Sequence, residues 1–351
     1  MPSDPVYDRD KSYQWNYANA PASQQSHSTG VKERPLDFDF CGIPVASPLG
    51  IAAGPLLNGR WLLSYAGAGF DVLTYKTVRS RQRECYPLPN LVPVSANDVS
   101  PGAAVVAQSE MRHSWAISFG MPSAAPEVWS QDVARTRELL PQGCVLCVSV
   151  VATPEQDWSL EDIANDYAWC AKLAVESGAQ CVEANFSCPN VASRDGQLFQ
   201  TPTAARAVAK RIRSAVGSTP LILKIGYVEQ RSLAEELVDA VGSTVTALSM
   251  TNCISATVAG ESDAYFDGQP RGIGGAAIRA RSQAQVAMFA DCIADSASNA
   301  RDMKIVGVGG IASADHVEGY MAAGAHSVHV ATAAMLDRAV AERIKNDLGW
   351  N

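Results

Sequence analysis

The stretch KIVGVGGIASADHVEGYMAAGAHSVHVATA, residues 304–333, decides the fold. It begins with an apolar run (KIVGVGGI, 304–311) that ends in two glycines. A helix-patterned segment, DHVEGYMAA, follows, and then a second apolar run, SVHVATA (327–333). Short apolar runs on either side of an amphipathic helix predict a βαβ unit with parallel strands. The same rhythm extends toward the N-terminus. Strands are predicted at LGIAAGP (49–55), FDVLTYKTV (70–78), CVLCVSVVA (144–152), CVEANFS (181–187), PLILKIGY (220–227) and TVTALSMTN (244–252). Helices are predicted through RWLLSYAGA, over 160–177 and 201–216, at SLAEELVDAV, and over 278–294. Eight βα units without a linker predict an α/β chain folded as one (β/α)8 TIM barrel. A doubly wound sheet is the alternative, and the eight units with repeated AGA helix ends favour closure.

Three segments depart from this rhythm. LDFDFCGIPVASPLG alternates and turns like an N-terminal β-hairpin, expected to cover the barrel floor. Residues 79–125 form an inserted segment after strand 2, rich in Pro, Ser and Arg and carrying WAISFGMP; an excursion of that length is usually functional. Residues 1–35 are read as an N-terminal arm or tail and 36–351 as the barrel domain. Tyr7, Tyr13, Trp15 and Tyr17 favour an arm packed on the barrel or a partner subunit, because disordered tails are poor in aromatics.

The formal charge of −8, from 28 basic and 36 acidic residues, disfavours nucleic acid and anionic membranes as partners. No apolar run reaches membrane-spanning length, and the N-terminus has no signal-peptide pattern, so a cytoplasmic enzyme is expected. Nine cysteines, mostly within apolar stretches, predict buried thiols in a reducing compartment. Cys144 and Cys147 form a CxxC on a strand, where residues three apart face opposite sides, so no metal is expected there.

Polar residues at barrel strand ends are informative, because active sites occupy that rim. Lys76, Asn185, Lys224, Asn252 and the Gly309–Gly310 pair stand there. Each alone could be a satisfied core residue; five on one rim point to a site. Two lysines between apolar flanks predict a bound anion: a phosphate, a carboxylate, or a flavin ring edge that becomes negative on reduction. Lysines snorkelling to solvent are the plainer alternative. GVGGIAS followed by VHVATAAM has the small residues of a barrel phosphate site, with Gly309, Gly310, Ala331 and Thr332 as its candidates. GIGGAA (272–277) adds a second glycine approach and is not a dinucleotide fingerprint, since it follows a loop. NFSCPN (185–190) places Cys188 beyond a strand end, where a thiolate can be reached. A buried structural cysteine is the alternative there, and the polar rim favours a catalytic one.

Together, TYKTVR, NFSCPN, LKIG, TNCIS (251–255), GIGGAAI and GVGGI…ATA resemble the dihydroorotate dehydrogenase family, closest to its soluble class with a cysteine base and akin to pyrimidine-reducing domains. The likeness covers about residues 36–337. It implies FMN across the barrel mouth. Ala53 and Gly54 match the turn that touches the flavin, and Lys76 and Thr77 match flavin and substrate contacts. Asn185 matches an amide shared by both ligands, Cys188 the catalytic base, and Asn190 and Asn252 amides holding the substrate ring, with Cys253 beside them. Lys224 matches the lysine at the flavin N1–O2 edge. Gly274, Gly275, Gly309, Gly310, Ala331 and Thr332 match the ribityl and phosphate cradle.

One departure bears on substrate. Where the family reads INSMGLPN, this chain has AISFGMPS (116–123), so Ile117 stands for the first asparagine, which binds the substrate ring in the family, and Ser123 for the last one. Either Ser118 supplies the missing contact or the substrate differs from dihydroorotate. Cys253 and Ala331 stand where the family commonly has Ser and Gly. The expected activity is oxidation of a CH–CH bond in a cyclic amide such as dihydroorotate. Alternatives are a flavin enzyme for another dihydropyrimidine or natural-product ring, and a flavin-free phosphate-binding lyase or isomerase using a lysine. A binding or scaffold barrel is disfavoured by the base and both lysines. The electron acceptor (fumarate, oxygen or a partner subunit) is open, and a homodimer is a family expectation.

Overall fold

A computed structural model describes residues 6–21, 35–187, 194–260, 265–296 and 299–350. In chain order the first elements are α1 (Tyr13–Ala18), β1 (Phe38–Phe40), β2 (Ile43–Val45), β3 (Leu49–Ile51), α2 (Gly59–Gly67) and β4 (Val72–Val78). The inserted segment holds β5 (Leu91–Ser95), β6 (Ala104–Ala107) and β7 (Ser114–Ile117). Then come α3 (Pro126–Leu139), β8 (Val145–Val150), α4 (Leu160–Glu176), β9 (Cys181–Asn185), α5 (Pro202–Val216), β10 (Leu221–Lys224), α6 (Arg231–Val241) and β11 (Ala247–Met250). The last are β12 (Ile254–Ala259), β13 (Arg271–Gly275), α7 (Arg279–Asp295), β14 (Lys304–Val308), α8 (Ala314–Ala322), β15 (Ser327–Val330), α9 (Thr332–Leu336) and α10 (Val340–Leu348).

All eight expected strands form the barrel, in the order β3-β4-β8-β9-β10-β11-β14-β15, closed by β15 on β3. Every pair is parallel, from Gly50↔Val72 around to Val330↔Ile51. The alternation of each strand sorts its residues between two cores. Leu73, Leu146, Val182, Leu223 and Leu248 face outward onto Trp61, Tyr167, Ile212, Leu237 and Phe289 of the helices. Val72, Val145, Cys147, Cys181, Ile222 and Val306 face inward, toward Phe40 and Val45 of the hairpin. The β1–β2 hairpin therefore plugs the barrel floor. Its two-residue turn, Cys41–Gly42, has φ of 54° and 89°, the positive values that a tight hairpin needs. Cys144, one residue before β8, packs in the outer core and Cys147, within β8, in the inner one, so the two thiols point into different cores.

The inserted segment is half of a second structure. β5, β6 and β7 close with β12 and β13, from the loop after β11, into a five-stranded sheet in the order β12-β13-β7-β5-β6. The sequence predicted one excursion and a glycine-rich loop, and the structure joins them through Ile273↔Ala116 and Val258↔Val105. Among the described residues, no helix is long and apolar enough to cross a membrane. The last helix is tied to the barrel by a buried ion pair between Lys345 and Asp71, whose carboxylate also accepts from Ser47.

His329 is an inward residue of β15, 1% exposed and stacked on Phe40 at 5.7 Å. Neither ring nitrogen has a hydrogen-bond partner among the described residues. The barrel leaves room for this ring by using glycine on the neighbouring strand, since a β-carbon on Gly50 would lie 2.4 Å from it. Burial, then the charge of Lys224, pushes the imidazole down to about 3. Between pH 6.5 and 3 the unfolded chain takes up a proton at His329 that the folded chain refuses, so folding stability falls as pH drops. The slope from this residue is about 1.4 kcal/mol per pH unit. Urea midpoints at pH 7 and 5 should diverge more in the parent than in His329→Met; equal divergence would show that the residue does not contribute.

Candidate active site

The site opens at the C-terminal ends of the barrel strands, where two adjoining cavities meet. One, of about 130 Å³, is lined by Ala53 and Gly54 after β3, Lys76 and Thr77 of β4, Asn185 and Ser187 from β9, and Lys224 at the end of β10. The other, of about 360 Å³, is lined by Gly274 and Gly275 of β13, Gly309 and Gly310 after β14, and Arg279 and His316. Ile117, Asn252, Cys253, Val308, Ala331 and Thr332 line both. The sequence-predicted residues thus gather at one mouth, with three exceptions. Ser118 does not line either cavity: it is 2% exposed, and its Oγ accepts a hydrogen bond from Arg271 Nε at 2.8 Å. Cys188 and Asn190 lie outside the described residues.

Local backbone features aim these groups. The register of β4 against β8 shifts between Tyr75 and Val78. Such a bulge lets Lys76 and Thr77, consecutive in sequence, both reach the cavity. Thr77 Oγ1 lies 3.0 Å from Ser149 Oγ. On β9 the inward series is Cys181, Glu183, Asn185, and the neighbouring strand brings Lys224 opposite Asn185. Lys224 Nζ lies 4.0 Å from Glu183 Oε1, both side chains nearly sealed from solvent. The Glu183 Oε1 atom has no hydrogen-bond partner among the described residues.

The amides form a connected rim. Asn252 Nδ2 donates to Ser187 O at 2.6 Å and approaches Asn185 Oδ1 at 3.4 Å. Asn185 Oδ1 also accepts from Ser187 N at 3.1 Å, and its backbone carbonyl accepts from Tyr167 Oη at 2.8 Å. Opposite stands an apolar wall of Leu91, Trp115, Ile117, Phe119 and Met121 from the inserted segment. Buried Arg79 ties that wall to the barrel, with Nε donating to Met121 O at 3.0 Å.

At the far end the backbone itself is the lining. Gly310 has φ of 67°, and a β-carbon there would meet Gly275 O and Arg279 Cβ, each at 2.8 Å, so only glycine permits this approach. His316 from the first turn of α8 and Arg279 line the same space, which suits an anion. His316 accepts from Ala312 N at 3.2 Å, and burial with the Arg279 charge lowers its pKa. Sequence reading missed Arg279, His316 and His113. An arginine directly after GIGGAAI was a legible signal, whereas His113 arrives only through the second sheet. The arrangement suits an elongated ligand: a flat head between two buried ammonium groups and an amide rim, and an anionic tail among glycines.

The sequence model of the dihydroorotate dehydrogenase family matches residues 35–350. The chain belongs to that family. Dihydroorotate dehydrogenase of Dictyostelium discoideum is 29% identical over 365 residues, covering 98% of this chain and 97% of that protein. The catalytic subunit of dihydroorotate dehydrogenase B (NAD(+)) from Desulforudis audaxviator is 24% identical over 322 residues, 88% of this chain and 90% of that one. Among solved structures, DHODH from Eimeria tenella in complex with ferulenol superposes with a TM-score of 0.71 at 19% identity, covering 95% of this chain and 88% of that one. That last likeness concerns the fold. Family membership accounts for the barrel and for the string of rim motifs in one order along the chain.

Proposed function

We propose that the protein is an FMN-dependent oxidoreductase that converts a CH–CH bond of a cyclic amide, with dihydroorotate as the first candidate, into a C=C bond. The observation that carries this reading is the meeting of Lys76, Lys224, Asn185 and Asn252 with a glycine-and-arginine cradle at one barrel mouth, in a chain of this family. The residues fit the cofactor. Gly54 faces open space, as a planar ring requires, and the buried Lys224 ammonium beside Glu183 would balance the negative charge that reduction adds to a ring held there. Gly274, Gly275, Gly309, Gly310, Ala331, Thr332 and Arg279 would hold the phosphate and ribityl chain. When bound, FMN supplies the acceptor for the hydride.

The chain supplies the rest. Lys76 and the asparagine rim orient the ring and its carboxylate, and Cys188, one residue after Ser187, takes the proton from the carbon next to a carbonyl. The apolar wall excludes water from the reacting face. The final electron acceptor is a separate molecule or subunit, and a cytoplasmic homodimer is the expected assembly. An anaerobic visible spectrum before and after adding dihydroorotate tests the reading. A flavin band that bleaches supports it. A colourless protein that takes up no FMN overturns the cofactor assignment. A second reading, a related ring as substrate, is favoured by Ile117 in the wall and by Ser118 turned to Arg271, since neither offers an amide. A flavin band that stays oxidised with dihydroorotate and bleaches with another dihydropyrimidine would select it.

A further inference from the structure

Residues 6–21 precede the span matched by the family, and they pack directly behind the apolar wall of the site. The arm is held by specific bonds. Asn16, 1% exposed, closes it on itself through Asp8 N and Asp8 O, both at 2.8 Å. Trp61 Nε1 donates to Asn16 O at 3.0 Å, Asn58 Nδ2 to Tyr17 O at 2.9 Å, and Arg60 to Ala18 O at 2.7 Å. These bonds to α2 fix where the aromatic side chains fall. The buried rings of Tyr7 and Tyr13 meet Phe119 at centroid distances of 5.7 and 6.1 Å, with interplanar angles of 86° and 66°. Phe119 lines the cavity, and the Lys76 ammonium lies 5.4 Å from its ring centroid.

A chain of contacts therefore runs from the arm to the charge at the head of the site: Tyr7 and Tyr13, then Phe119, then Lys76. Edge-on aromatic contacts fix a ring's orientation as well as its position, and the ring face in turn attracts the ammonium. Phe119 also sits in a backbone that needs such support, because the next two residues, Gly120 and Met121, have φ of 71° and 51°. We propose that Tyr7 and Tyr13 are positioning residues for the substrate end of the active site, acting through Phe119 on Lys76. This rests on the oxidoreductase reading above for its kinetic readout only. Lys76 matches a contact to both ligands, but most of the cofactor-holding residues form the glycine cradle at the other end of the site, so the arm should govern substrate affinity and leave cofactor retention unchanged.

The test compares full-length Tyr7→Ala and Tyr13→Ala with Tyr7→Phe and Tyr13→Phe. The Tyr7 hydroxyl has no hydrogen-bond partner among the described residues, so phenylalanine should serve there as well as tyrosine. Each alanine variant should raise KM for the cyclic amide about tenfold, with kcat within about twofold and FMN content unchanged; the phenylalanine variants should restore KM. Amide hydrogen exchange over residues 115–123 should quicken in the alanine variants alone. Parental KM and parental exchange would overturn the proposal, and so would losses that follow FMN content, which would mean that the arm only holds the barrel together. If Tyr13→Ala does not fold, Tyr7→Ala, nearer the start of the chain, decides. A parent that is colourless and inactive refutes the oxidoreductase reading, and the exchange comparison still decides the arm.

Discussion

Cys188→Ala should leave the protein folded and yellow while turnover falls about 10²- to 10⁴-fold, the usual contribution of a positioned general base. The expected loss lies in the chemical step. Rapid mixing with substrate should therefore show slow flavin reduction at an almost unchanged substrate affinity. Cys188→Ser should fall between parent and alanine, because a hydroxyl is a poorer proton acceptor at the same place. A second readout uses five of the other thiols as controls. Burial pushes Cys41 up to about 12 and Cys85 up to about 11, and holds Cys147, Cys170 and Cys181 above the ordinary thiol range. An alkylating reagent near neutral pH should thus spare them, modify Cys188 early, and lose activity in step with that modification; substrate should protect. Cys188→Ala turning over within about twofold of the parent would remove the base assignment.

The barrel was legible because its code is local. Each strand is an apolar run short enough to be read by itself, and glycines and helix periodicity punctuate the runs. The rim was legible for a related reason: a lysine or asparagine that ends such a run stands out against an apolar background. The five-stranded sheet was not legible. Its two halves are joined by pairings about 150 positions apart, as in Ile273↔Ala116 and Val258↔Val105, and no periodicity in either segment announces the other. Ser118 shows a signal that was present and unread. Successive strand residues point to opposite sides, so placing Ile117 in the cavity already turns Ser118 away from it. Glu183 is similar. It alternates with Cys181 and Asn185 on the inward face of CVEAN, but its partnership with Lys224 depends on the β9–β10 register, which only the fold supplies.

That pair carries the other large effect. Lys224→Met should lower folding stability by about 3–5 kcal/mol, the cost of leaving a buried carboxylate without its cation. Glu183 is 1% exposed, its register neighbours Ser149 and Ile222 are neutral, and burial holds the inward-facing His329 unprotonated, so none of these replaces the lost cation. The variant should also resist flavin reduction, because the site loses the cation that would balance negative charge at the ring edge. The two losses are separable. Lys224→Met with Glu183→Gln removes both charges, so most of the stability should return, as it does when buried ion pairs are replaced whole. The flavin should remain hard to reduce, and its midpoint potential should stay below the parent's. Glu183→Gln alone should move the potential the other way, since on the proposed assignment Lys224 would face the ring edge without a competing carboxylate. A double variant that regains the parent's potential along with its stability would show that Lys224 serves only to neutralise Glu183, and the charge that stabilises the reduced ring would have to come from Lys76.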